Sequence, residues 1–244
     1  LGLSAVVVWL VLRGIPLPPA LSQALVLATA SSPVMMAATI CLIMGLDTAL
    51  AVVVAVLATA LLPFTLPAMS LALLGLDLDI GIGTFVARLS GLVGIPFAVA
   101  LFVRRFVSLA QIAHRARPLD AVAVIGLVIF SIAIMDGITA AVIERPGAVV
   151  ETLVAAFVAN LALQLMGTLA FWRLGARRAL TIGLLTGNCN MGIILVALAD
   201  KAEFDTVMFF ALGQIPMYVL PAVLGPLYRR AARRDPPSAH REGG

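Results

Sequence analysis

Eight residues in two short stretches carry the polar chemistry of an otherwise hydrocarbon-rich chain: Thr29, Ser31, Ser32 and Pro33 in "LATASSPVMMAA", and Thr186, Gly187, Asn188 and Asn190 in "LLTGNCNMGII". Hydroxyls and carboxamides both donate and accept hydrogen bonds. Such groups can hold a polar solute or, through their oxygens, a small cation. Asn188 and Asn190 would lie about 200° apart on an intact helix, so local unwinding is needed to turn both toward one point. Pro33 carries the same message in the first stretch, because it removes a backbone donor and disfavours helix at Ser32. The alternative use of such residues is hydrogen-bonded glue between helices. Two asparagines beside a glycine, mirrored by a Ser-Ser-Pro break, favour a binding site instead.

Both stretches interrupt segments long enough to cross a bilayer. Of the 244 residues, 62% are hydrophobic and 11% charged, and the mean hydropathy is +1.14. A soluble domain of this length cannot hide so much apolar side chain in one core. Spanning helices of about 20 residues can, and an all-α polytopic membrane protein is expected. Eight apolar segments cover 1–12, 19–46, 48–74, 80–103, 119–142, 147–171, 179–199 and 204–228. The first is short and Leu1 lies inside it, so the chain reads as a fragment that lacks earlier helices.

The net charge of +4 does not point to nucleic acid, because the arginines sit in loops between apolar segments. Arg104, Arg105, Arg115 and Arg117 follow the fourth segment; Arg173, Arg177 and Arg178 follow the sixth; Arg229, Arg230, Arg233 and Arg234 follow the eighth. Even numbers of crossings separate these sites, so they share one face. The alternate loops hold Asp77 and Asp79, then Glu144 with Arg145, then Asp200, Lys201, Glu203 and Asp205. That asymmetry puts the C-terminus in the cytoplasm of a plasma or inner membrane protein. The basic tail, 229–244, is expected to be disordered. Cys41 and Cys189 lie in apolar segments and form no disulfide framework. No CxxC, HExxH or phosphate-loop motif occurs, and an enzyme, a metal site or a resident cofactor is not expected.

The two interrupted segments belong to a repeat. Asp47-Thr48 follows the first break and Leu62-Pro63 lies fourteen positions after Thr48; Asp205-Thr206 and Leu220-Pro221 follow the second break at the same spacing. The copies are 158 residues and five segments apart. An odd number of crossings inverts them in the membrane. Inverted repeats with a broken helix in each half are a common construction of secondary transporters, since unwound backbone is tolerated at the midplane only inside protein or beside a wet cavity.

"ATASSPVMMAATICLIMGLDTALAVVVAVLATALLPFTLP", followed five spans later by "LTGNCNMGIILVALA", resembles the bile acid:sodium symporter family. The resemblance covers residues 1–228 and implies two inverted five-helix repeats, with panel and core domains and two crossing broken helices. This chain would begin in the third helix of that pattern. Ser31 and Ser32 then fall near the fourth-helix break, and Cys189-Asn190 stand where the family has Gln-Asn. The resemblance implies a crossing between Thr29–Pro33 and Thr186–Met191, with solute bound beside it. Leu185 occupies the acidic position of sodium-coupled members, and Ala51 and Ala55 stand where hydroxyls would face the cation. Na⁺ coupling by the family mechanism is therefore doubtful, although Asn188, Ser31, Ser32 and backbone carbonyls could form a neutral oxygen site.

Asp136, an acid inside the fifth segment, is a second candidate for a proton or a cation. Arg88 could pair with it or snorkel to the interface. Asn160 and Gln164 share a face of the sixth segment and are expected to brace the broken helices. Gln214 and Pro216 predict a kink in the last segment, and neither His114 nor His240 is assigned a task. The expected function is secondary transport of a small organic solute, an anion by preference, with lipid and solute as partners and no nucleic acid. The alternatives are a sodium-independent or proton-coupled efflux permease of the same superfamily, and a membrane sensor or channel.

Overall fold

The computed structural model describes residues 2–74, 81–135, 137–198 and 202–234, and the described residues are helical almost throughout. Among the described residues, five helical spans are long and apolar enough to cross a membrane: Thr48–Leu74, Ile82–Phe106, Arg117–Glu144, Pro146–Ala170 and Phe204–Arg233. The outer faces of several are hydrocarbon: Ile95, Leu101, Phe102, Val122, Ile125 and Ile129 are all exposed. Water would penalise that surface and lipid does not. The chain is an integral membrane helix bundle.

Helix α1 (Gly2–Leu12) turns through Pro16 and Pro18 into α2 (Pro19–Ala30), whose proline at the first turn costs no hydrogen bond. Eight residues of α2 are buried, which makes it the central helix of the main core with Leu62, Leu66, Phe85, Leu89 and Phe209. It stops at Ser31, which is extended at φ −82° and ψ 168° ahead of Pro33. The segment resumes as α3 (Met36–Met44) and ends on Gly45 in the left-handed region at φ 72°. Helix α4 (Thr48–Leu74) follows, with Pro63 and Pro67 inside it. Then come α5 (Ile82–Phe106), the short α6 (Leu109–His114) and α7 (Ala116–Ile134).

The fifth apolar segment does not run unbroken as the sequence suggested. It divides after Ile134 and resumes as α8 (Ile138–Glu144), with Gly137 at φ 73° between them. A side chain is ruled out there twice over, by the left-handed backbone and because a Cβ would stand 2.9 Å from the Phe204 ring.

Helix α9 (Pro146–Ala170) leads through a single 3₁₀ turn at Trp172–Leu174 to α10 (Ala176–Gly187). These two helices make the most extensive contact in the molecule. After the second break, α11 (Met191–Leu198) completes that segment. The last segment bends at Gly213 between α12 (Phe204–Leu212) and α13 (Gln214–Arg234). Pro216 offers no N–H to the turn before it, and the Gln214 amide caps the carbonyl of Phe210 at 3.4 Å. Helix α13 continues to Arg234, so 229–234 are ordered helix rather than tail; Arg229 to Arg234 extend the amphipathic end of a helix already under way, and Ala232 is buried. Residues 235–244 and Asp136 lie outside the described residues, as do Asp77, Asp79 and Asp200.

Candidate functional site

The two breaks meet. Pro33 and Cys189 form an isolated antiparallel bridge, in which Val34 N donates to Asn188 O at 2.9 Å and Asn190 N donates to Ser32 O at 2.7 Å. Unwinding frees these donors and carbonyls from their own helices, and a buried backbone group must find another partner. Each break satisfies the other. The C-terminal ends of α2 and α10 and the N-terminal ends of α3 and α11 all abut this junction. Partial charges of both signs therefore converge on it.

The eight candidate residues divide by what their side chains do. Thr29 Oγ1 donates to Val26 O and Thr186 Oγ1 to Ile182 O, so both hydroxyls are spent on their own helices. Ser31 Oγ donates to Ser32 O at 3.3 Å. Asn190 Oδ1 accepts from Ile193 N, capping the first turn of α11. Pro33 and Gly187 contribute backbone, and Gly187 O accepts from Asn160 Nδ2 at 2.8 Å. Ser32 and Asn188 differ from the rest. Both are fully buried, yet Ser32 Oγ and Asn188 Nδ2 have no hydrogen-bond partner. An unpaired buried polar group costs roughly 1–3 kcal/mol, and these two atoms carry that cost.

Behind the junction stands a polar ladder on α9. Gln164 Nε2 donates to Asn160 Oδ1 at 2.6 Å, and Asn160 Nδ2 also lies 3.4 Å from Asn188 Oδ1. The Tyr228 hydroxyl closes the ladder on Gln164 Oε1 from α13. Asn160 and Gln164 thus hold the second break from one side, and both are buried. Close approach of the helices is what lets them reach. A Cβ on Gly187 would stand 2.8 Å from Asn160 O, one on Gly183 would stand 2.5 Å from Gln164 O, and one on Gly167 would stand 3.0 Å from Gly183 Cα. Gly183 and Gly187 form a G-x-x-x-G pair, the small-residue pattern that lets membrane helices touch backbone to backbone. That signal is in the sequence, whereas Tyr228 gives no local sign of its role.

Each break is also tied down at its far end, and the ties are reciprocal. The turn after α3 reaches the start of α10. Asp47 N donates to Thr181 Oγ1 at 3.0 Å, Arg177 donates to Leu46 O at 3.1 Å, and Arg178 lies 3.6 Å from the Asp47 carboxylate. The first turn of the Phe204–Leu212 helix reaches the start of α2, where Thr206 Oγ1 donates to Ala20 O at 3.5 Å. Beside it Asp205 pairs with Arg145 at 3.3 Å. Asp47 and Thr206, one residue from each Asp-Thr pair of the sequence, thus take part in these cross-connections.

The positions tied to sodium by resemblance are filled with hydrocarbon. Leu185 and Ala51 lie in one buried apolar cluster with Ala37, Cys41 and Leu184, and Ala55 is also fully buried. Arg88 is exposed on α5. Among the described residues no cluster of His, Cys, Asp and Glu could hold a metal ion. The chain matches no protein-family model and no curated protein.

Proposed function

We propose that this membrane bundle is a carrier for a small organic solute that presents a hydrogen-bond acceptor, an anion by preference, and that the solute binds at the Pro33–Cys189 junction. The observation that carries the reading is the pair of unsatisfied atoms there, Ser32 Oγ and Asn188 Nδ2. The amide nitrogen can only donate. Of the neighbouring oxygens, Ser32 O, Asn188 O and Gly187 O already accept backbone or side-chain N–H groups, which leaves the Ser32 hydroxyl uncommitted. An amide donor without an acceptor suits a carboxylate or similar group better than Na⁺.

The reciprocal ties between the halves, the two breaks and the resemblance to the bile acid:sodium symporters together support inverted repeats with a panel and a core. Alternating access then follows as movement of one part of the bundle against the other. Because Leu185, Ala51 and Ala55 put no carboxylate or hydroxyl at those three positions, the account favours a sodium-independent carrier, either a uniporter or a proton-coupled permease. The test is counterflow in proteoliposomes. Vesicles preloaded with one unlabelled organic anion should transiently accumulate the same labelled anion, and an Asn188→Ala variant should lose that accumulation. A flux that rises linearly with concentration and shows no counterflow would make the protein a channel; no flux across a broad anion panel would sink the carrier reading.

A further inference from the structure

Asparagine occurs three times in this chain, and Asn160, Asn188 and Asn190 all stand where the two breaks meet. A carboxamide has an accepting end and a donating end, so it fits a site in two orientations. In a series of carboxamides, turning one member turns the next, and only a group of fixed polarity can set the direction. Here that group is the carbonyl of Gly187, left over at the end of α10 and able only to accept. Asn160 Nδ2 donates to it at 2.8 Å; the turned carboxamide would set Oδ1 against that oxygen, with no proton between two acceptors. The rest of the series follows from this contact. Asn160 Oδ1 is left for Gln164, which must present Nε2, at 2.6 Å, and Gln164 Oε1 then accepts from the Tyr228 hydroxyl. On the other side, Asn160 Nδ2 meets Asn188 Oδ1 at 3.4 Å. Asn188 therefore ends the series with Nδ2 outward, and that is the buried amide without a partner. Asn190 is oriented separately, by the Ile193 N–H that its Oδ1 accepts.

We infer that Asn160 sets the specificity of the junction: held by the Gly187 carbonyl, it turns Asn188 so that a guest meets an NH2 group and not a C=O. This rests on the reading of the junction as the solute site, and it names the residue that decides which chemistry the site accepts. Run in the opposite direction, the same side chains would end in Asn188 Oδ1 and offer an oxygen to a cation. Asn160 acts through Asn188, as a positioning residue. Gln164 and Tyr228 follow the direction and do not set it, because a phenol hydroxyl both donates and accepts.

Protein carrying ¹⁵N only in its asparagines tests this, since it gives three side-chain NH2 pairs, assigned by their loss in Asn160→Leu, Asn188→Ala and Asn190→Ala. Without solute, the Asn160 pair should resonate downfield, as hydrogen-bonded amides do, and the Asn188 pair should not. Asn160→Leu should move the Asn188 pair, whereas Tyr228→Phe, at the far rung, should leave it in place. The wild-type spectrum decides the direction even where Asn160→Leu folds poorly. A hydrogen-bonded Asn188 pair in the solute-free protein, or one moved as far by Tyr228→Phe as by Asn160→Leu, overturns the proposal. Benzoate and benzylammonium, alike in size and opposite in charge, then read the consequence. Benzoate should shift the Asn188 pair and bind more tightly by about tenfold or more, the scale of one hydrogen bond to a charged group. That preference should be lost in Asn160→Leu and kept in Tyr228→Phe; its survival in Asn160→Leu also overturns the proposal. The expected solute-free spectrum, with neither probe moving Asn188, would uphold the direction of the ladder and count against the junction as the solute site.

Discussion

Asn160 Nδ2 donates to the carbonyl of Gly187 at 2.8 Å, so a residue in the middle of α9 holds the last residue of α10 where that helix stops. The bond explains how a helix can end inside a membrane bundle without leaving its terminal carbonyl bare. It also joins the second break to Gln164 and, through it, to Tyr228.

Asn160→Leu removes the donor to Gly187 O and strands the Gln164 amide and the Asn188 carboxamide oxygen. The expected loss is roughly 1–3 kcal/mol, read as a lower melting temperature in detergent. Tyr228→Phe, which removes only the outer rung, should cost less, about 0.5–1.5 kcal/mol. If Asn160→Leu melts with the wild type, the ladder does not brace the break.

Gly187→Ala tests the close approach of α9 and α10. Its Cβ would meet Asn160 O at 2.8 Å, whereas the space around Gly94 on α5 is open for 4 Å. Overpacking should destabilise Gly187→Ala by about 1–3 kcal/mol. Gly94→Ala should be neutral or slightly stabilising, since helix propensity favours alanine by roughly 1 kcal/mol. Equal melting temperatures for the two variants would rule out backbone contact as the reason for Gly187.

Asp47 has two partners that a mutant series can separate. Its carboxylate accepts from Leu50 N at 3.1 Å, capping α4, and lies 3.6 Å from Arg178, whose side chain is more than half exposed. The cap should dominate: Asp47→Ala is expected to cost about 1 kcal/mol, and Arg178→Ala no more than about 0.5 kcal/mol. Asp47→Ser should restore most of the loss without restoring the charge. A serine variant as unstable as the alanine variant would assign the stabilisation to the ion pair instead.

The parts of this architecture visible in the sequence are those written in local chemistry. Pro33 and the Gly187–Asn190 cluster announce the breaks because proline and glycine act on their own backbone, and the apolar runs announce the spans because lipid selects length and polarity. The two Asp-Thr pairs stand out in the sequence, but the contacts that Asp47 and Thr206 make are between segments more than a hundred residues apart. Tyr228 could not be assigned to Gln164 for the same reason, as 64 residues separate them. Asp136-Gly137 is a turn dipeptide in the sequence, but the apolar run on either side of it hides the division of the fifth segment at Gly137. Nor did spacing separate the side chains spent on their own helices, such as Thr29 and Thr186, from Ser32 and Asn188, because only the paired breaks decide which polar atoms are left over.

The central claim is that the junction offers hydrogen-bond donors to an anion rather than oxygens to sodium. Thermal stability of the purified protein, in NaCl and in KCl at equal ionic strength and with a panel of small organic anions, tests it most directly. A ligand at about a hundred times its Kd adds roughly 2.7 kcal/mol, or about 5–10 °C for a chain of this size. The account predicts such a rise for some anion, equal in both salts and lost in Asn188→Ala. A rise with Na⁺ over K⁺ in the absence of solute, or an anion effect untouched by Asn188→Ala, would contradict it.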